Sequence, residues 1–292
     1  MGFRHILFPV DFSPRCYGAV PFVKAFAARY RAAVTLVHVV EPLPAWVGAD
    51  GGYAVDLESS SIKDDAERKL AAFAMDQFPH LSVTRMVEEG DPGRCISDLA
   101  HCWNADLIMM PTHGRGAIRR KLLGSVTAKA LHDCECAIWT GVHLDDPAPP
   151  PPGSPPHTEL KTILCAIELV PESAALLKYA KEIGLEAGAA VHIVHAVPTA
   201  EIRPEMYYDQ PLEVFLLDFA REEIAKLQAE AGTNFDTHVA VGNVSNVVHE
   251  AAEKFNADMV IIGRGMVNRF AGDLRTEAYG IMRESPCPVM SV

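Results

Sequence analysis

Short runs of aliphatic and β-branched residues recur along the chain at 5–10, 34–40, 82–87, 107–110 and 137–140. They lack the polar alternation of a half-exposed strand, and so predict strands buried on both faces of a parallel sheet. Between them, apolar residues return at helical spacing over 15–30, 60–77, 94–103 and 126–133. Strand and helix alternate, which predicts a doubly wound α/β domain: a five-stranded, mainly parallel sheet with helices on both faces. Two stretches interrupt the rhythm and read as long surface loops, one at 41–59 with Pro42, Pro44, Gly48, Gly51 and Gly52, the other at 198–211 with Tyr207 and Tyr208.

The pattern then starts again. Arg4-His5-Ile6-Leu7-Phe8-Pro9-Val10-Asp11 aligns with Lys161-Thr162-Ile163-Leu164-Cys165-Ala166-Ile167-Glu168 at an offset of 157 residues, and the second strand run keeps that offset. Ala105-Asp106-Leu107-Ile108 aligns with Ala257-Asp258-Met259-Val260 at an offset of 152. A period of that length is a duplicated domain rather than a solenoid repeat. The join is a proline-rich stretch that sustains neither helix nor central strand. The expected organisation is domain one at 1–143, linker at 144–157 and domain two at 158–292.

Composition adds limits. The chain has 292 residues, 49% hydrophobic, enough for two modest cores, and a formal net charge of -12, which disfavours nucleic acid and anionic lipid as general partners. No apolar run approaches the length of a membrane span, and the opening residues pass straight into a strand without a leader-like segment, so a soluble cytoplasmic protein is expected. Seven cysteines make neither an even disulfide framework nor a CxxC pair, so reduced thiols are expected. His132, Asp133, Cys134 and Cys136 stand close in sequence, but their spacing fits no common zinc motif, and no metal is expected there.

In a doubly wound sheet the ligand sits beyond the carboxyl ends of the strands where strand order reverses. Asp11 follows the first strand there, and Pro111 to Thr127 follows the fourth. Gly114 and Gly116 would let the backbone approach an anion, Gly124-Ser125 would open a helix with free N–H groups, and Arg115, Arg119, Arg120 and Lys121 would add local positive charge. Asp11 would repel phosphate but accept hydrogen bonds from ribose hydroxyls, so a nucleotide satisfies both features. Neither a GxxxxGK[ST] loop nor a full GxGxxG fingerprint is present.

These residues resemble the universal stress protein family in its tandem two-domain form. The resemblance is carried by Ile6-Leu7-Phe8-Pro9-Val10-Asp11-Phe12-Ser13, by Leu36-Val37-His38-Val39-Val40, and by Ala105 through Gly116 running into Leu123-Gly124-Ser125-Val126-Thr127. It implies a Rossmann-like fold of the adenine nucleotide alpha hydrolase-like kind. The family pattern G-x2-G-x9-G-[ST] falls on Pro111, Gly114 and Gly124-Ser125, with proline in the first glycine's place. It also implies an ATP site in domain one built from Pro9, Val10, Asp11, Val39, Met110, Pro111, Thr112, His113, Gly114, Arg115, Gly116, Gly124, Ser125, Val126 and Thr127. In that site Val10, Asp11 and Val39 would face adenine and ribose, and Gly114, Gly124, Ser125 and Val126 would hold phosphates. Any Mg²⁺ would arrive with the nucleotide, through Asp11.

Domain two departs from the pattern: Glu168 replaces the Asp, Met266 the second Gly, and Arg275-Thr276 the Gly-Ser pair. No ATP is expected there in the family's manner. The family resemblance further implies pairing of the final strands, 137–140 with 286–292, within the chain, or else a homodimer.

No nucleophile stands with a base. Ser13 and Ser125 are expected as helix caps, and His38 and His195, at one repeat position, as buried, hydrogen-bonded strand residues. The expected function is a nucleotide-binding stress-response protein with at most slow ATP hydrolysis. The alternative is a nucleotide-free interaction module of the same fold. A metabolic enzyme of a related superfamily ranks last, since HIGH and SGGxDS signatures are absent.

Overall fold

The computed structural model describes residues 2–42, 56–78, 80–112, 123–141, 158–198, 210–264 and 274–292. Its described residues divide into two compact units, one within Gly2–Ile138, the other made of 139–141 and the second half from 158.

In the first half, β1 (His5–Pro9), α1 (Pro14–Tyr30), β2 (Ala33–Val40), α2 (Asp56–Ala72), β3 (Val83–Glu89), α3 (Pro92–Cys102), β4 (Leu107–Pro111), α4 (Ser125–Asp133) and β5 (Ala137–Gly141) follow in order. The strands lie in the order β3-β2-β1-β4-β5. β1 runs parallel to β2, with His5 opposite Ala33, and parallel to β4, with Ile6 opposite Leu107. Chain order therefore reverses between β1 and β4.

The second half repeats this with β6 (Thr162–Ala166), α5 (Ser173–Ala187), β7 (Ala190–Val197), α6 (Gln210–Ala231), β8 (Asp236–Val241), α7 (Val244–Lys254), β9 (Met259–Ile262), α8 (Leu274–Glu284) and β10 (Val289–Ser291), in sheet order β10-β9-β6-β7-β8. Register is duplicated with topology: Thr162 faces Ala190 as His5 faces Ala33, and Ile163 faces Met259 as Ile6 faces Leu107.

The apolar runs fill the two cores. Ile6, Leu7, Phe8, Leu36, Ile108 and Met109 are at most 1% exposed, and so are Ile163, Leu164, Ile193, Val194, Val260 and Ile261. Each such side chain contributes about 1.5–3 kcal/mol through burial. The two halves share smaller devices as well. Gly90 (φ 148°) and Gly242 (φ 158°) follow β3 and β8, and each donates its N–H to the neighbouring strand's end, Val40 O and Val197 O, at 3.0 Å. A Cβ on Gly90 would lie 2.9 Å from Cys95 Sγ, so glycine is required there. The next residues, Asp91 and Asn243, cap α3 and α7.

The helix expected at 60–77 is instead Asp56–Ala72, followed by a left-handed Ala74 and a short 3-10 turn at Met75–Gln77. Its end is set from a distance. The Arg85 guanidinium on β3 donates to Leu70 O (3.1 Å) and Phe73 O (3.4 Å), taking carbonyls that a continuing helix would need. Among the described residues, no helix is long and apolar enough to cross a membrane.

Candidate functional site

Parallel pairing sends the carboxyl ends of β1, β2 and β4 to one edge of the first sheet. Pro9, Val10, Asp11, Val39, Met110, Pro111 and Thr112 thus gather where strand order reverses. Val10 donates its N–H to Val37 O at 2.7 Å and accepts from the ring of His38, whose Nδ1 lies 2.6 Å from Val10 O. A carbonyl only accepts, so Nδ1 carries the proton. His38 is half-buried rather than fully buried, because the strand end opens toward the mouth.

Asp11 continues the turn. Its Oδ1 accepts the Ser13 N–H at 2.9 Å, and Ser13 Oγ in turn accepts from Cys16 N at 3.3 Å, capping α1. Burial, and then the nearby Asp11 charge, holds the Cys16 thiol far above the ordinary thiol range. Between Asp11 and Ser13, Phe12 adopts a left-handed backbone (φ 59°), rare for a bulky residue. Its ring packs against His38 (4.5 Å) and Phe73 (5.9 Å), which holds that conformation. The sequence reading missed this aromatic floor, because Phe73 reaches it from the far end of α2.

α4 is tied to β4 by two bonds. Gly124 donates its N–H to Thr112 O at 2.9 Å, and Thr127 Oγ1 donates to Pro111 O at 3.2 Å. Gly124 is the N-cap and Ser125 the first helical residue, so the expectation of Ser125 as a cap is corrected: a glycine there leaves the helix end without a side-chain acceptor. The first intrahelical bond is Ala128 N to Gly124 O, which leaves the N–H groups of Ser125, Val126 and Thr127 ahead of the ladder. Thr127, 2% exposed, has its hydroxyl committed to the strand. Pro111 continues β4 as its last residue, extended as its ring prefers. His113, Gly114, Arg115, Gly116 and the basic residues after them lie outside the described residues. Among the described residues, no group of His, Cys, Asp or Glu is arranged to hold a metal.

A second device was also unread. Asp106 Oδ2 accepts from the N–H groups of Arg4 (2.7 Å) and His5 (2.9 Å), locking β1 to the turn before β4. Asp258 Oδ2 does the same for Lys161 (2.7 Å) and Thr162 (2.8 Å). The recurring Ala-Asp at 105–106 and 257–258 was the available signal.

In the second half the corresponding edge carries other residues, with Glu168 in place of Asp11 and Arg275 in place of Gly124. His195 Nδ1 lies 2.9 Å from Ile167 O, repeating the His38 bond, again on a half-buried ring. Arg264 N donates to Val292 O at 2.8 Å, continuing the β9–β10 pairing, and α8 spans Leu274–Glu284, which puts Arg275 inside the helix. A cavity of about 410 Å³ opens at this edge, between the ends of β6 and β9 and helices α5 and α8.

Two doubly wound α/β units, each with its open edge at the strand-order reversal, define a protein of the Rossmann-like class. The family model for the universal stress protein family matches residues 2–140 and 159–292, and the chain belongs to that family with two copies of its domain. It is 28% identical over 142 residues to universal stress protein A homolog 1 of Coxiella burnetii, covering 48% of this chain and 98% of that protein. It is 30% identical over 138 residues to a Thermus aquaticus universal stress protein, covering 47% and 96%. Among solved structures, a universal stress protein from Archaeoglobus fulgidus is similar in fold, with TM-score 0.66 and 20% identity over 99% of this chain and 97% of that one.

Proposed function

We propose that the first domain binds an adenine nucleotide, ATP, and that occupancy regulates the protein as a cytoplasmic stress-response module rather than driving turnover. The observation that carries this reading is the first turn of α4. Its N-cap, Gly124, has no side chain to accept from the N–H groups of Ser125, Val126 and Thr127, and Gly124 is itself bonded to Thr112 at the end of β4. A helix start of that kind favours an anion through oriented N–H groups and the helix dipole. Asp11, whose Oδ1 accepts the Ser13 N–H, places a carboxylate at the same mouth, the kind of acceptor that ribose hydroxyls bond to. Any Mg²⁺ would come with the nucleotide, with Asp11 as the nearby carboxylate. The second domain, with Arg275 one residue into α8 and Glu168 at its edge, takes no ATP in the same manner. Pairing of the final strands of the two halves belongs to the same proposal, with a homodimer as its alternative.

Calorimetric titration of ATP, with and without Mg²⁺, into the full chain and into Gly124→Arg tests this. One site per chain, lost in the variant, is the expected result. Pro111, which has no N–H to offer, favours the second reading, an interaction module without nucleotide. Absence of binding to the unmodified chain, and no nucleotide released on denaturing freshly purified protein, would decide for that reading.

A further inference from the structure

We infer that the cavity of the second domain is a binding site for a small apolar cation, an aryl- or alkylammonium, in place of a nucleotide. It rests on the part of the preceding reading that keeps ATP out of the second domain. The cavity lies at the duplicated position: Ala166, Ile167 and Glu168 stand where Pro9, Val10 and Asp11 stand in the first domain, and Ile262, Gly263 and Arg264 where Met110, Pro111 and Thr112 stand. At about 410 Å³ it falls within the size range of small-molecule sites.

Its wall is mostly aliphatic. Ile167, Leu176, Ile262 and Ile281 are each at most 8% exposed and line it, so an occupant gains by burying apolar surface. Among the described residues its charged lining is mainly acidic: Glu168, Glu172 and Glu277 stand against Arg264. Glu168 keeps much of its surface in solvent, yet its carboxyl is held above the usual carboxylate range, first by burial and then by the charge of Glu277. Two carboxylates that repel each other across an apolar mouth would reject a polyphosphate and gain from a cation between them. The ring of Tyr179 also lines the cavity and adds an electron-rich surface, while its hydroxyl donates to Met290 Sδ at 3.6 Å.

The test uses the full chain and three probes of one shape: 1-naphthylmethylammonium, 1-naphthylmethanol and 1-naphthoate, titrated by calorimetry at pH 7. The ammonium is expected to bind at one site per chain, about tenfold tighter than the carboxylate, with the alcohol between them. Ala175→Trp and Ala278→Trp would fill the cavity from α5 and α8. Ala175 is exposed and Ala278 half-buried, so both variants should melt like the unmodified chain while losing all three probes. Glu168→Gln combined with Glu277→Gln should bring the ammonium down to the alcohol's affinity and leave the alcohol unchanged. The inference is overturned if the carboxylate binds as well as the ammonium, if none of the probes binds, or if binding survives both tryptophan variants. Displacement of the ammonium by ATP overturns it together with the assignment of ATP to the first domain alone. Ammonium binding in a chain that takes no ATP sinks only the nucleotide reading.

Discussion

His38 donates its Nδ1–H to the carbonyl of Val10, and by that bond a side chain on β2 fixes the backbone of β1 where the strand ends. His195 and Ile167 repeat the relation in the second half. Loss of the bond in His195→Ala should cost about 1 kcal/mol. His38→Ala should cost more, since its ring also supports Phe12 in a left-handed conformation. Urea unfolding followed by circular dichroism checks this, and equal losses in the two variants would mean that the Phe12 contact contributes nothing.

The carboxylates of Asp106 and Asp258 each gather two backbone N–H groups at a strand start. Replacement by Ala should cost about 2 kcal/mol at either site, and by Asn roughly half, because the amide oxygen still accepts. Hydrogen exchange offers a local reading: Asp106→Ala should speed exchange at Arg4 and His5, and Asp258→Ala at Lys161 and Thr162. Faster exchange at all four amides in either variant would show that the two clamps do not act separately.

Thiol reactivity should divide the cysteines sharply. Burial pushes Cys165 up to about 12 and Cys287 up to about 11, and Cys16 higher still, whereas Cys102 is exposed. Reaction requires the thiolate and access to it. Brief iodoacetamide treatment of the native chain at pH 8, read by peptide mass spectrometry, should label Cys102 and spare Cys16, Cys165 and Cys287. Comparable labelling of Cys165 and Cys102 would refute the buried placement.

Glu168 makes a pH-dependent contribution with a definite sign. Its folded carboxyl holds a proton more tightly than in the unfolded chain, first through burial and then through Glu277. The stability this gives is complete below the ordinary glutamate range and is lost as pH rises through the raised value. Glu168→Gln should therefore melt about 1–3 °C above the unmodified chain at pH 7, a modest gain because solvent screens an exposed group, and show little difference at pH 4. A variant that gains stability at acid pH instead would reverse the assignment.

The strands were legible because their centres are uninterrupted aliphatic runs that occur twice at fixed offsets, as in Ile6-Leu7-Phe8 and Ile163-Leu164-Cys165. The reversal point, and with it the gathering of Val10, Asp11, Pro111 and Gly124, followed from strand order. Features set across the chain were not legible. The end of α2 depends on Arg85, which belongs to another element and reaches its carbonyls through space. The role of Thr127 depends on Pro111 arriving beside it, and the acidic mouth of the second domain depends on Glu277 meeting Glu168 from a helix far along the chain. Even at α4, the motif Gly-Ser marked the helix start but not which of the two would sit at the cap.

The bond from Gly124 to Thr112 fastens the start of α4 to the end of β4 through backbone atoms alone. No side chain takes part, so any residue but proline at 124 can keep the fastening. Position 124 is thus a place where side-chain chemistry can be exchanged at a helix start while the helix stays moored to the sheet.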